Sequence, residues 1–421
     1  MASEAGAEDF DALRAEVREW LTANWDPDLG LHEWRGRLAD SGWGLPTWPV
    51  GLCGRGLSPE AAAVVSEELD AVGVVGPAIG VGMMLAAPTL LAHGSEGLKR
   101  RLLRPIATGE DSWCQLFSEP SNGSDLAGLT TGAVRDGDEW VVNGQKVWTT
   151  GAHHAAYGML LARTNWDVPK HQGITFFALP MDQEGIEVRP LRQMNQRASF
   201  NEVFITDARV PDENIVGDVH GGWKVALTTL AHERGLASGL MGAIPKITGG
   251  KTAMEALEEA MAYLKTYEWY PQRAGRADMV PGQARERGRN TEPVIRQGVA
   301  ALAALEKTAK WTAQRARDGR KLGRPPGPEG SLGKLSASEI ARSAALMHTR
   351  IAGAHGMLSG SDAANSVVAE VLVSTPAASI AGGTDEIQKN IVGERVLGLP
   401  KEPTVDAEIA FREVKTNQGR R

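Results

Sequence analysis

The period of the chain changes twice, and this constrains the fold more than any single residue does. Over roughly the first hundred residues, apolar side chains recur at helical spacing, as in Phe10, Leu13, Val17, Trp20 and Leu21. Ser58-Pro59-Glu60 pairs an N-cap with proline at the first helical position and opens an alanine-rich run to Leu69. Ser95 opens another helix that ends near Gly109. From Trp113 to about Gly217, short alternating runs separated by turn residues replace the helical period. Asp136-Gly137 and Asn143-Gly144 are hairpin-turn signals. Gly173 to Leu179, Glu187-Val-Arg-Pro-Leu and Glu202-Val-Phe-Ile-Thr read as strands. From Gly222 the helical period returns, over 223–238, 251–267, 293–318 and 334–358, with shorter helices near 363–372 and 385–396. Residues 272–292 and the Pro/Gly-rich stretch Gly323 to Gly330 read as loops.

Helices, then strands, then helices imply separate layers or domains rather than alternating β-α units. The expected fold is therefore α+β and multidomain. The boundaries fall at 1–112 (N-terminal helical domain), 113–221 (central antiparallel β domain), 222–403 (C-terminal helix bundle) and 404–421 (polar tail). Of the 421 residues 42% are hydrophobic, enough for a large core, and no run of about 18 apolar residues predicts a membrane span. A net charge of −7 argues against nucleic acid and anionic membranes as main partners. Two cysteines, Cys53 and Cys114, fit a reducing compartment and suggest neither a disulfide framework nor a zinc site. The nine histidines form no metal-spaced cluster, so no metal is expected. The acidic start of the chain does not read as a targeting peptide, and the expected location is cytoplasmic.

Five segments carry more specific information. They are Trp43-Gly-Leu-Pro-Thr-Trp-Pro49, Trp113-Cys-Gln-Leu-Phe-Ser-Glu-Pro-Ser-Asn-Gly-Ser-Asp125, Gly144-Gln-Lys-Val-Trp-Thr-Thr-Gly151, the stretch from Phe200-Asn-Glu-Val-Phe to Gly217, and Ala381-Gly-Gly-Thr-Asp-Glu-Ile-Gln388. A Ser-Glu-Pro-x-x-Gly-Ser-Asp loop offers small polar groups and close backbone approach, suited to a flavin edge or the polar arm of a ligand. Trp148-Thr-Thr150 offers an aromatic plane and two hydroxyls, although core packing is the commoner fate of a lone Trp. Most helical glutamates are solvated, and by itself Glu233 reads as one of them.

In this order and register the five segments resemble the acyl-CoA dehydrogenase family, over roughly Leu45 to Pro400. The resemblance implies an N-terminal helical domain, a β-barrel-like middle domain and a C-terminal bundle. It implies FAD as cofactor, an acyl-CoA substrate, and oxidation to the trans-2-enoyl-CoA with electrons leaving to an electron-transfer flavoprotein. The commonest members carry a catalytic glutamate where this chain has Gly382. Glu233 stands where the isovaleryl-CoA and long-chain members carry theirs, so it is the expected base. The resemblance makes Gly382 the backbone donor to the thioester oxygen. It places Phe117, Ser118, Gly123, Ser124, Trp148, Thr150, Gly353, Thr384 and Glu386 at the cofactor, and Ser124, Leu230 and Arg234 at the substrate.

Some departures bear on assembly. The family's Arg-x-x-Phe-Gly is missing, leaving Arg285, Arg287 and Arg289 without the phenylalanine. A usual Gln-x-x-Gly-Gly-x-Gly reads Arg350-Ile-Ala-Gly-Ala-His-Gly356. Leu230-Ala231 stands where many members have an aromatic and an aspartate near CoA. These features resemble actinobacterial members that pair two different chains, some acting on steroid side-chain CoA esters. The expected assembly is a homo-oligomer (dimer or tetramer) or a heteromer with a related chain. Two alternatives stand beside the dehydrogenase: an acyl-CoA oxidase using dioxygen, and a half-site or non-catalytic partner subunit.

Overall fold

The structure is a computed structural model that describes residues 9–233, 249–322, 327, 329–358 and 367–415. The chain forms two compact units. The first takes in residues up to Leu191, Ser199–Thr266 and the segment from Asp406; the second takes in Arg192–Ala198 and Tyr267–Val405.

The first unit opens with helices α1 (Phe10–Asn24), α2 (Leu31–Ser41) and α3 (Pro59–Val72). Asp9 caps α1 by accepting from the N–H groups of Asp11 and Ala12, and Ser58 caps α3 through the N–H of Ala61. Glycines in the left-handed region end α2 and α3, Gly42 at φ 77° and Gly73 at φ 77°. These helices enclose Val17, Trp34, Leu38, Trp43 and Val65 together with Ala253 and Ala256 of α7 (Lys251–Lys265). A π-turn (Gly82–Ala86) runs into α4 (Ala87–His93), followed by α5 (Glu96–Thr108). The sequence reading named neither α2 nor the 82–93 segment, because both are short and their polar and apolar residues follow no clean period.

The middle of the unit is a seven-stranded sheet in the order β1-β4-β2-β3-β7-β6, with β5 on β4. The strands are β1 (Trp113–Leu116), β2 (Gly132–Asp136), β3 (Glu139–Thr150), β4 (Tyr157–Arg163), β5 (Ile174–Pro180), β6 (Ile186–Leu191) and β7 (Phe200–Pro211). The pairing is antiparallel except for β1 with β4 and a single parallel step between β2 and β4. β4 and β5 are apolar on both faces because both faces are covered. Met159, Leu161, Phe176 and Ala178 join the core shared with α4, α5 and α6 (Gly222–Glu233), whereas Leu160, Ala162, Phe177 and Leu179 fill the opposite core.

Three local expectations are corrected here. Asp136-Gly137 lies at the tip of the β2–β3 hairpin, but Asn143-Gly144 is no turn. It is an irregularity inside β3, where Asn143 and Asp207 exchange two hydrogen bonds of 2.9 and 3.0 Å. Residues 272–292 are not merely loop: they contain the end of α8 (Tyr270–Arg273), a 3-10 turn (Ala277–Met279) and α9 (Val280–Glu286). The polar tail is docked over residues 406–415. Phe411 is buried, its ring lies 3.5 Å beneath the Arg163 guanidinium, and its N–H donates to Val168. Phe411→Ala is expected to cost about 3 kcal/mol through the lost apolar contact and the cavity left behind. Denaturant unfolding of the purified variant measures this.

In the second unit, α10 (Pro293–Lys321) packs along α11 (Glu329–Ala352) around Ile295, Leu302, Ala344, Met347 and Ile351. Buried His348 of α11 bonds Gln283 Oε1 at 2.6 Å and the carbonyl of Gly275 at 3.0 Å. Next come α12 (Val367–Ser374), α13 (Pro376–Ile380) and α14 (Asp385–Arg395). Residues 367–395 have the length and hydropathy of a membrane span. They are nevertheless three helices, broken at Pro376 and at Gly382-Gly383, and so form no continuous apolar rod.

Candidate active site

The site in the first unit starts where β1 leaves the sheet. Along β1 the side chains alternate: Cys114 and Leu116 enter one core, Trp113 and Phe117 the other. Phe117 is buried edge-on against Phe176, with ring centroids 5.9 Å apart. The Ser118 carbonyl accepts from the N–H of Val147 at 2.9 Å, tying the end of β1 to β3.

Glu119 then closes the loop that follows. Its buried carboxylate accepts from the N–H of Thr130 (2.7 Å), the N–H of Thr131 (2.8 Å), the Thr130 hydroxyl (2.9 Å) and Lys146 Nζ (2.9 Å). Lys146, fully enclosed, also donates to the Phe117 carbonyl at 3.1 Å. Burial works to raise the Glu119 carboxyl, but Lys146 and the threonine donors outweigh it and hold the group at about 2. Burial also pushes the Lys146 ammonium below its ordinary range, against the pull of Glu119. Buried Arg163 donates to the carbonyls of Ala127 and Leu129 and is brought down to about 10 by burial. Lys170 bridges Asp125 at the loop end and Asp406 of the docked tail, at 3.1 and 2.8 Å. The loop is thus clamped at its base and end, while Gly123 and Ser124 are exposed at its tip.

Trp148 stands at an irregularity of β3, with φ 63° in a region that bulky residues seldom adopt. The indole is 55% exposed and packs edge-on against Phe200. A strained backbone that turns a large aromatic outward is a cost that points to a ligand. The expectation that a lone Trp packs in the core does not hold here. Thr150 beside it is half-buried.

Helix α6 carries the candidate base. Gly222 begins it in a seat where a Cβ would lie 2.6 Å from the Phe176 nitrogen, so only glycine fits. Gly222→Ala is expected to cost about 1–3 kcal/mol by overpacking, read as a lower denaturation midpoint. Val225, Ala226 and Thr229 are the buried face, whereas Leu227 is 51% exposed. Leu230 packs at the margin of the core. Glu233, half-buried in the last turn, accepts a hydrogen bond from Gln115 Nε2 at 3.2 Å. Arg234 lies outside the described residues.

In the second unit, Gly382 (φ 67°) and Gly383 (φ 83°) form the turn before α14. Nothing lies within 4 Å of a Cβ placed on Gly382, whereas one on Gly383 would meet Gln388 Nε2 at 2.5 Å. Thr384 caps α14, its hydroxyl accepting from the N–H of Ile387 at 3.3 Å. Glu386 is exposed in the first turn, and Gly353 is exposed with φ 58°. Arg289 donates to the carbonyls of Arg350 and Ile351, while Arg285 and Arg287 are exposed. A cavity of about 250 Å³ beside Asp40, Cys53 and Arg104 contains none of the candidate residues. The same is true of an apolar groove of about 660 Å³ along Leu346, Leu372 and Ile380. Sequence reasoning assigned no role to Gln115, Glu119 or Lys146. For Gln115 the available signal was a polar side chain alternating with apolar ones in β1.

Helices packed on a seven-stranded sheet, a loop clamped by Glu119, Lys146 and Lys170, and a helix ending in a half-buried carboxylate frame the site, and comparison with known proteins gives the family. The chain matches the acyl-CoA dehydrogenase N-terminal domain over 7–110, the middle domain over 114–208 and the C-terminal domain over 282–397. The acyl-CoA dehydrogenase IpdE1 of Mycobacterium tuberculosis is 34% identical over 94% of this chain and 99% of its own length. The acyl-CoA dehydrogenase FadE34 of the same organism is 37% identical over 86% of this chain, which spans 46% of FadE34. Among solved structures, a chain of the Tcur3481-Tcur3483 steroid ACAD is 26% identical with a TM-score of 0.62, covering 95% of this chain and 100% of that one. A chain of the ChsE4-ChsE5 complex from Mycobacterium tuberculosis is 26% identical with a TM-score of 0.59, over 95% and 100%. The chain belongs to the acyl-CoA dehydrogenase family of enzymes, among its actinobacterial members.

Proposed function

We propose that the chain carries out FAD-dependent α,β-dehydrogenation of an acyl-CoA thioester, giving the trans-2-enoyl-CoA. The observation that carries this reading is the Glu233 carboxylate, half-buried at the end of α6 and hydrogen-bonded to the strand that leads into the clamped loop. An α-C–H beside a thioester is a weak acid. Its removal needs a positioned, partly desolvated carboxylate and a donor to the carbonyl oxygen. Glu233 takes the α-proton, and the N–H of Gly382 is the donor assigned to the thioester oxygen.

The residues fit a flavin. Trp148 presents an exposed plane, Thr150 and Ser118 (whose carbonyl accepts from the N–H of Val147) are half-buried, and among the described residues the buried hydroxyl of Thr149 has no hydrogen-bond partner. When bound, FAD supplies the acceptor for the β-hydride at N5. Phe117, Ser118, Gly123, Ser124, Trp148 and Thr150 would hold it, and Gly353, Thr384 and Glu386 are assigned to its phosphate and adenosine end. Ser124, Leu230 and Arg234 are assigned to the acyl-CoA. Electrons leave to an electron-transfer flavoprotein. Hydrogen peroxide released during turnover would instead identify an oxidase.

The solved relatives include a steroid ACAD and a two-component complex. With the missing Arg-x-x-Phe-Gly, they favour a second reading, in which this chain completes its FAD site with a related chain and accepts bulky, branched or steroid-derived acyl groups. One experiment separates the readings: the absorption spectrum of the chain purified alone, then acyl-CoAs added without oxygen. A stoichiometric flavin band that bleaches establishes a self-sufficient enzyme. A colourless protein that stays so with added FAD supports the shared site.

A further inference from the structure

Gln115 occupies a position in β1 that an apolar side chain would ordinarily take. Its neighbours on the same face, Trp113 and Phe117, are both buried in the core shared with α6, and Gln115 itself is half-buried. An amide in such a row is costly unless it is hydrogen-bonded. Its Nε2 finds the Glu233 carboxylate at 3.2 Å.

We infer that Gln115 is a positioning residue for the Glu233 carboxylate, orienting Oε2 and stabilising the ionised form. The inference rests on Glu233 being the base. Both ends of the contact stand on anchored elements. β1 is held along its length by β4, with Gln115 opposite Met159. α6 is held to α4 by Thr89 Oγ1 against Thr229 Oγ1 at 2.9 Å and His93 Nε2 against Thr228 Oγ1 at 2.8 Å. Gly222 seats its first turn on β5. A 1 Å error in a general base is costly in rate, so a donor on a sheet strand is better placed to aim it than one on a loop.

The neutral amide donates to the charged form of the carboxylate, so it lowers the proton affinity of Glu233. Among the described residues, β5 and the 82–86 turn contribute no titratable group, α4 contributes His93, and the loop before β5 contributes His171 against Trp223; burial chiefly keeps both imidazoles on the neutral side of their ordinary range. On α6 itself Lys224 and His232 are exposed.

The test follows the protonated carboxyl stretch of Glu233 against pH by difference infrared spectroscopy on the intact protein, assigned by its loss in Glu233→Gln. The acid limb of kcat/KM is measured alongside. In Gln115→Met, which keeps length but loses the donor, both should move up by about one pH unit. In Gln115→Glu the two carboxyls should titrate as a coupled pair, one of them displaced further upward. A Gln115→Met protein that folds and titrates at the parental midpoint overturns the inference. If that variant does not fold, an unshifted Gln115→Glu does so. A structural role alone would lower stability without moving the midpoint. Full activity of Glu233→Gln is a separate failure: it removes Glu233 as base and leaves the titration result to be read on its own.

Discussion

Glu233→Gln is expected to retain FAD but to reduce it with acyl-CoA about 10³-fold more slowly than the parent, the magnitude usual for loss of a general base. Glutamine keeps the length and shape of the side chain, and α6 is held by Val225, Ala226 and Thr229 rather than by its last turn, so the fold should persist. What is lost is the only feature of glutamate that the reaction needs, a lone pair basic enough to take the α-proton. Anaerobic mixing with a substrate that bleaches the parent, followed at the flavin band, measures the rate directly. Bleaching at the parental rate would falsify the assignment of Glu233 and send the search to another carboxylate.

Lys146→Met carries the largest expected stability cost, about 3–5 kcal/mol, because it leaves Glu119 charged and enclosed without its partner. The variant should also become acid-sensitive at higher pH. In the parent, the Glu119 carboxyl is held at about 2, below its ordinary 4.5. A depressed carboxyl contributes stability that is fully present above about pH 4.5 and is lost as pH falls toward 2. The contribution is about 3 kcal/mol, and the depressed Lys146 ammonium offsets part of it. Without Lys146 the carboxyl rises, and the acid transition moves up with it. Glu119→Gln added to Lys146→Met should recover part of the loss by removing the stranded charge. Denaturant unfolding at several pH values measures all three proteins. An unchanged midpoint in Lys146→Met would show that the pair does not hold the loop.

The two predictions differ in how legible their residues were. Glu233 stood out only through the resemblance; its helix, read without it, offers an ordinary solvated glutamate. Glu119 and Lys146 lay inside quoted motifs but drew no comment, because sequence alternation shows which face a residue takes and not what waits there. Trp148 lay inside one of the quoted motifs, yet its exposure depends on an irregularity between Lys146 and Thr149 that no local signal announces. Asn143-Gly144 misled for a related reason. The dipeptide favours a tight turn, but β7 pairs on both sides of it and turns that preference into an irregularity within the strand.

What the sequence by itself determined was the element types, the order helix–sheet–helix, and family membership, because hydrophobic period, caps and contiguous motifs are local properties of the chain. The helix starts at Ser58 and Ser95 were both readable in this way. Only the tertiary structure decided that Gln115 reaches Glu233, that Lys146 closes on Glu119, and that Phe411 docks beneath Arg163. These pairs lie 118, 27 and 248 positions apart. A contact over such a separation depends on where the sheet and helices bring the chain back. Burial then makes the Lys146–Glu119 pairing obligatory, since an enclosed polar group without a partner costs more than most single interactions return.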